Sequence, residues 1–171
     1  MHRFLECLDY QKIPDTDIRV FVEQSIESLF EKGKINQEIR QRLHPEILAE
    51  FLESETARTM RKAAKEGKLI REQPFVMALD SREIWQEAPN ETVLTQGIID
   101  VFWFDEEGIT ILDYKTDHIQ TVEELENRYK IQMKLYCQAV SRCFPDIPIK
   151  EAILYSLSLN EKISLAMEEM A

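Results

Sequence analysis

Two apolar runs in the middle of the chain, QGIIDVFWF and GITILDYKT, are joined through only Asp105-Glu106-Glu107-Gly108. Both are rich in β-branched and aromatic residues, which suit a pleated, half-buried surface. A connection that short leaves them one arrangement, an antiparallel hairpin. With those four residues as the loop, Phe104 faces Ile109, and counting backwards sets Asp100 opposite Asp113. An odd-length loop or a bulge would shift that pairing. Directly opposed residues hold their Cβ atoms about 4.5–5.5 Å apart. Period two then puts Lys115 on the side of Asp113 and turns Tyr114 away.

Two carboxylates and an ammonium therefore converge on one patch. Like charges directly opposed destabilise a sheet, so the arrangement requires compensation. A hard divalent cation bound through oxygen supplies it, and Mg²⁺ selects such ligands. The lysine beside it can neutralise charge or orient a water molecule. This is the outline of metal-assisted hydrolysis. The plainer alternative makes these groups solvated strand ends, and an isolated Asp-x-Lys would not decide between the two. Asp100 across the hairpin and the helix that follows favour the metal reading.

That helix spans about Val122 to Arg142, opened by Thr121 with Glu124 three residues on, a capping-box pattern. It carries Arg128, Tyr129, Gln132 and Tyr136. Gln132 and Tyr136 are four apart and share a face. They either aim an amide and a phenol at phosphate or base edges beside the acids, or serve as an exposed helix former and a core residue. Lys130 and Lys134 add local positive charge or a solvated face.

The rest of the chain frames this unit as one mixed α/β domain with a helical first third. Ile18, Phe21, Val22, Ile26, Leu29 and Phe30 recur at helical spacing from Asp17 until Gly33. Helical patterns continue from Asn36 to about Leu52, broken at His44-Pro45, and from Ser54 to Lys65. Gly67 marks the switch to a strand over Leu69–Leu79, followed by a polar connection, SREIWQEAPNE. The hairpin strands run Val93–Phe104 and Ile109–Tyr114. The tail reads as a strand, a short turn, and a second strand or a fraying helix.

Composition narrows the function. The 171 residues carry a net charge of -11, which argues against broad gripping of nucleic acid by counterion release. A bound metal ion could supply positive charge locally. Three cysteines, Cys7, Cys137 and Cys143, form no metal-ligand spacing and exclude a four-thiolate zinc site or an iron–sulfur cluster. Their odd number favours a reducing compartment. No apolar stretch approaches the roughly 20 residues of a membrane helix, and no signal peptide opens the chain. No G-x-x-x-x-G-K-[ST] motor motif occurs.

The segments GIID, LDYKTD and RYKIQMKLYCQA resemble, in order and spacing, the motifs of RecB-family nucleases, which belong to the PD-(D/E)XK superfamily. Within that family they are similar to the C-terminal nuclease domain of the AddA-type subunit of bacterial ATP-dependent helicase–nucleases. The resemblance implies a restriction-endonuclease-like core, a small mixed β-sheet flanked by helices. It implies that Asp100 and Asp113 bind metal, with the Tyr114 backbone carbonyl as a further ligand and Lys115 as the catalytic lysine. Gln132 and Tyr136 match a Q-x-x-x-Y motif that lines the DNA path or supports the site. His2 followed by Glu6 matches the end of an upstream G-T-x-x-H-x-x-x-E pattern whose Gly-Thr is missing. On that comparison residues 1–171 are one nuclease domain excised from a larger chain, with the histidine motif truncated. Glu72, in REQPF, and Arg128 are further candidates near the site. His44 and His118 fit no part of the pattern and are expected at the surface or at caps.

The implied activity is Mg²⁺-dependent hydrolysis of single DNA strands, with Mn²⁺ as a substitute, in repair and recombination of double-strand breaks. The implied partners are DNA, helicase domains of the same full-length chain, and a second, AddB-type subunit, in the bacterial cytoplasm. Such tethering would let an acidic module act on DNA that it binds poorly alone. The competing expectation is a catalytically silent nuclease-like domain that guides DNA or binds protein.

Overall fold

Residues Thr92–Phe104 (β2) and Ile109–Lys115 (β3) pair antiparallel, with Phe104 opposite Ile109 and the ladder running to Val101 opposite Leu112. The four-residue loop is closed by Asp105, whose Oδ1 accepts from the amides of Glu107 (2.8 Å) and Gly108 (3.2 Å). Gly108 has φ +146°, and a Cβ there would collide with the Pro148 carbonyl oxygen. Gly108→Ala is therefore expected to destabilise the protein by about 2 kcal/mol. A drop in thermal midpoint checks it, because the register of β2 on β3 depends on this loop.

The computed structural model describes residues 1–83, 87–117 and 121–170, the side chain of Glu169 excepted. His118 and part of the polar connection after β1 lie outside the described residues. The sheet is mixed, in the order β1-β2-β3-β4-β5. β1 (Leu69–Asp80) lies antiparallel to β2. β4 (Ile149–Ser156) lies parallel to β3, reached through the long helix Val122–Cys143, and β5 (Glu161–Leu165) returns antiparallel. A parallel neighbour needs such a crossover, and the helix supplies it.

Ahead of the sheet come α1 (His2–Cys7), a 3₁₀ turn at Tyr10–Lys12, α2 (Ile18–Glu31), α3 (Gln37–Gln41), α4 (Pro45–Glu53) and α5 (Glu55–Lys65). The expected break at His44-Pro45 is present. Pro45 opens α4, and exposed His44 holds its N-cap position without a side-chain capping bond. Ser54 caps α5 by accepting from the Ala57 amide. The long helix is α6, and Thr121 Oγ1 accepts from the Glu124 amide at 3.2 Å, as the capping pattern requires. The tail resolves into β4, a turn, β5 and a short helix, α7 (Met167–Met170). No helix among the described residues is long and apolar enough to cross a membrane.

The helical first third packs on one face of the sheet, where Phe4, Leu5, Val22, Leu48, Phe51 and Met60 meet Val101, Leu112, Tyr114 and Tyr155. On the other face Leu125, Met133, Cys137 and Val140 of α6 cover Ile109, Ile111, Ala152 and Leu154. Every residue of β3 is buried, as expected of a central strand sandwiched between helical layers. Burial pushes the Cys137 thiol up to about 12, so it behaves as an inert core residue.

One irregularity interrupts β1 and β2 together. Ile70 and Phe102, a facing pair, lie on the α6 side, yet so do Phe75, Met77, Leu79 and Ile99. Alternation at period two cannot put both sets on one face, so both strands lose phase between them. The slip falls at Glu72 and Asp100. Glu72 has φ +51°, unusual for a residue with a side chain. The sheet thus changes face at the point where two of the candidate acids stand.

Candidate active site

The β2–β3 ladder ends one step before the two acids, because a side chain takes over. The Tyr114 amide donates to Asp100 Oδ2 at 3.0 Å, which holds that carboxylate against β3. Asp113 has the parity of Ile109 and Ile111, so its side chain lies on the α6 face and is only 2% exposed. Tyr114 turns the other way, and its hydroxyl shares a 2.8 Å hydrogen bond with Tyr10 in the opposite core. Lys115, 9% exposed, returns to the Asp113 side, and its Nζ lies 2.5 Å from Asp113 Oδ2. This is an ion pair without hydrogen-bond alignment. The buried oxygen has charge compensation but no donor directed at it.

Helix α6 fixes the lysine. Lys115 Nζ donates to Gln132 Oε1 at 2.8 Å, Gln132 Nε2 to the Tyr136 hydroxyl at 2.7 Å, and that hydroxyl to the Ile98 carbonyl at 2.6 Å. Lysine only donates, so the amide must present its oxygen, and the chain of donors has one direction. Tyr136 is core, and Gln132 is a support for Lys115 rather than an open contact. The ring of Tyr129 completes the seat, with Lys115 Nζ 3.6 Å from its centroid, a cation–π distance. The Tyr129 hydroxyl is in turn hydrogen-bonded to Asp117.

Helix α1 brings a histidine to the other side of Asp100. His2 Nε2 lies 3.0 Å from Asp100 Oδ2, with the imidazole side chain 40% exposed. One ligand-type atom from each of His2, Glu6 and Glu72 lies within 4.8 Å of the others. Glu6 is also paired with Arg3. Arg128 stays apart on the α6 surface, bonded to Glu124 Oε1 at 3.0 Å and 3.9 Å from Asp117 Oδ2.

Electrostatics follow from this crowding. Burial, reinforced by the charge of Asp100 and opposed by Lys115, pushes Asp113 up to about 7. The hydrogen bond that His2 donates to Asp100 raises its pKa against the lowering effect of burial, and burial raises Glu72. Carboxylates held near one another at such cost suit a divalent cation. The donor set is oxygen with one imidazole nitrogen, which fits Mg²⁺ or Mn²⁺ better than softer metals. Asp113, buried and raised further by the charge of Asp100 despite the nearby Lys115, is the observation that favours an additional positive partner.

Residues 1–166 match the profile of the PD-(D/E)XK nuclease superfamily. The chain belongs to this superfamily. The mixed five-stranded sheet between helical layers is its restriction-endonuclease-like α/β arrangement. Two similar proteins carry the name of the A subunit of an ATP-dependent helicase/nuclease. That of Clostridium botulinum (strain 657 / Type Ba4) is 31% identical over 170 residues, covering 96% of this chain and 13% of the relative. That of Lachnoclostridium phytofermentans is 31% identical over 200 residues, covering 96% and 14%. The chain thus spans about an eighth of the length of these curated relatives. Asp113-Tyr114-Lys115 has the acid-x-lysine spacing that the superfamily's name describes.

Proposed function

We propose that this domain is a Mg²⁺-dependent deoxyribonuclease that hydrolyses phosphodiester bonds of single DNA strands, with Mn²⁺ able to replace Mg²⁺. The observation that carries this reading is the convergence of Asp100, Asp113, Lys115 and His2 where β2 and β3 part. Asp100, Asp113, His2 and the Tyr114 backbone carbonyl would hold the cation, with Glu6 and Glu72 beside His2. Once bound, the cation would polarise a phosphoryl oxygen and lower the pKa of a water. Asp100 is kept in place for that role by the Tyr114 amide. Lys115, seated by Gln132 and the Tyr129 ring, can orient the attacking water and offset charge that builds on the phosphate. Tyr136 ties this support to β2 through Ile98.

On this reading the domain acts as an exonuclease within a larger helicase–nuclease in bacterial double-strand-break repair and recombination. Helicase domains of a longer polypeptide and an AddB-type second subunit would deliver the strand. The relatives' names support that setting, and the charge of -11 supports the need for delivery. Retention of both acids and the lysine, with Lys115 against Asp113, weighs against a silent module.

A labelled single-stranded oligonucleotide, incubated with concentrated domain, tests the proposal. Cleavage is expected with Mg²⁺ or Mn²⁺ and none with a chelator. Saturable metal binding together with intact DNA, also when the domain is tethered to the oligonucleotide, would overturn it in favour of the silent module.

A further inference from the structure

We infer that Arg71 is the positioning residue that holds helix α1 so that His2 meets Asp100. Its importance for metal binding rests on the nuclease reading above. Six residues are too few for a helix to persist by itself. The N-cap of α1, Met1, makes no side-chain capping bond. Something outside the helix must hold it. Its last carbonyls have no partner within the helix, and those at the end of α1 converge on one group. Arg71 Nη1 lies 2.7 Å from the Leu8 carbonyl oxygen, 3.0 Å from that of Glu6 and 3.4 Å from that of Leu5. A guanidinium at this end also complements the helix dipole. Its Cζ lies 5.3 Å from the centroid of the Tyr10 ring, which stacks beneath it.

The anchor is well placed to transmit position. Arg71 faces Val101 across the β1–β2 ladder, next to Asp100, and immediately precedes Glu72. The same stretch of sheet therefore carries the acid, the strained glutamate and the grip on the histidine helix. Tyr10 adds a second tie from the following turn, through its hydroxyl bond to Tyr114. Arg71 makes no hydrogen bond to Asp113 or Lys115; its hydrogen bonds go to the end of α1, and its charge lies near Glu72. Lysine in its place could reach a carbonyl but not spread over three of them while stacking on a ring.

Mn²⁺ affinity and amide hydrogen exchange, measured on the parent protein, Arg71→Lys, Arg71→Ala, His2→Ala and the His2→Ala/Arg71→Ala double variant, test this. Arg71→Ala should weaken Mn²⁺ binding about tenfold, the scale for residues that orient metal ligands. Arg71→Lys should fall between it and the parent. The double variant should lose less than the sum of the two single losses, because much of what Arg71 does passes through His2. Exchange of the Leu5–Cys7 amides should accelerate in Arg71→Ala while β3 and α6 stay protected. Unchanged Leu5–Cys7 exchange overturns the inference, as does parental Mn²⁺ affinity in Arg71→Ala, or additive losses in the double variant. A parent protein that binds no Mn²⁺ would instead sink the nuclease reading. The exchange comparison would still decide whether Arg71 holds α1.

Discussion

Asp113→Asn will abolish strand cleavage, by roughly 10³-fold or more, while leaving the protein at least as stable above neutral pH. The two halves of this expectation have one cause. Asp113 is almost fully buried, and its ionised form is penalised by burial and by Asp100. It titrates near 3.8 when unfolded and is pushed up to about 7 in the folded protein. Between those values the folded state binds one more proton, so stability without metal falls as pH rises through that window. The total loss from this group is at most about 4 kcal/mol. Asparagine is neutral throughout, so the variant should lack that slope. A divalent cation selects the ionised carboxylate, so added Mg²⁺ or Mn²⁺ should raise the parent's thermal midpoint more above pH ~7 than below it. Thermal melts across pH, with and without metal, read both effects. A variant that cleaves DNA at the parental rate would remove Asp113 from the chemistry.

Lys115→Ala should be nearly as damaging to activity, with a loss of roughly 10²–10⁴-fold. Its effect on stability should have the pH sign of any lost carboxylate–ammonium bridge, but in a higher window. Removing one partner of a buried pair costs about 3–5 kcal/mol when the other charge is stranded. Asp113 can escape that cost by staying protonated, since its pKa already lies near 7. The destabilisation should therefore be small in mild acid and grow as pH rises. Arginine should not restore activity. Gln132 Oε1 and the Tyr129 ring form a seat around a compact ammonium, and a planar guanidinium carries its donors elsewhere. A Lys115→Arg variant with parental activity would show that charge alone suffices.

How much of this was legible in the sequence depends on distance along the chain. The hairpin was legible because four loop residues and two β-rich runs allow one register, and Phe104 does face Ile109. Counting from that register carries Asp100 and Asp113 one step past Val101 and Leu112, where the ladder stops and the Tyr114 amide bonds the Asp100 carboxylate. The helix ends were legible where local chemistry sets them, as at Thr121 and at His44-Pro45. The seat of Lys115 was half legible. Tyr129 is three residues before Gln132 and so shares its helix face, a signal that could have placed its ring beside the lysine. That Gln132 and Tyr136 form an internal relay depends on Ile98, far away in sequence. The grip of Arg71 on α1 joins groups more than 60 residues apart, and no local pattern announces it. The phase slip at Glu72 and Asp100 was hidden for a similar reason. Each strand alternates regularly on either side, and only the packing of both shows that the faces change.

The central claim is that one divalent-metal position lies between the carboxylates that the hairpin brings together. An anomalous-scattering map from crystals grown with Mn²⁺ tests it most directly. The expected result is a peak in contact with carboxylate oxygens of both Asp100 and Asp113 and with a ring nitrogen of His2, lost in Asp113→Asn. Saturating Mn²⁺ with no peak at these residues, or a peak that persists unchanged in Asp113→Asn, would contradict it.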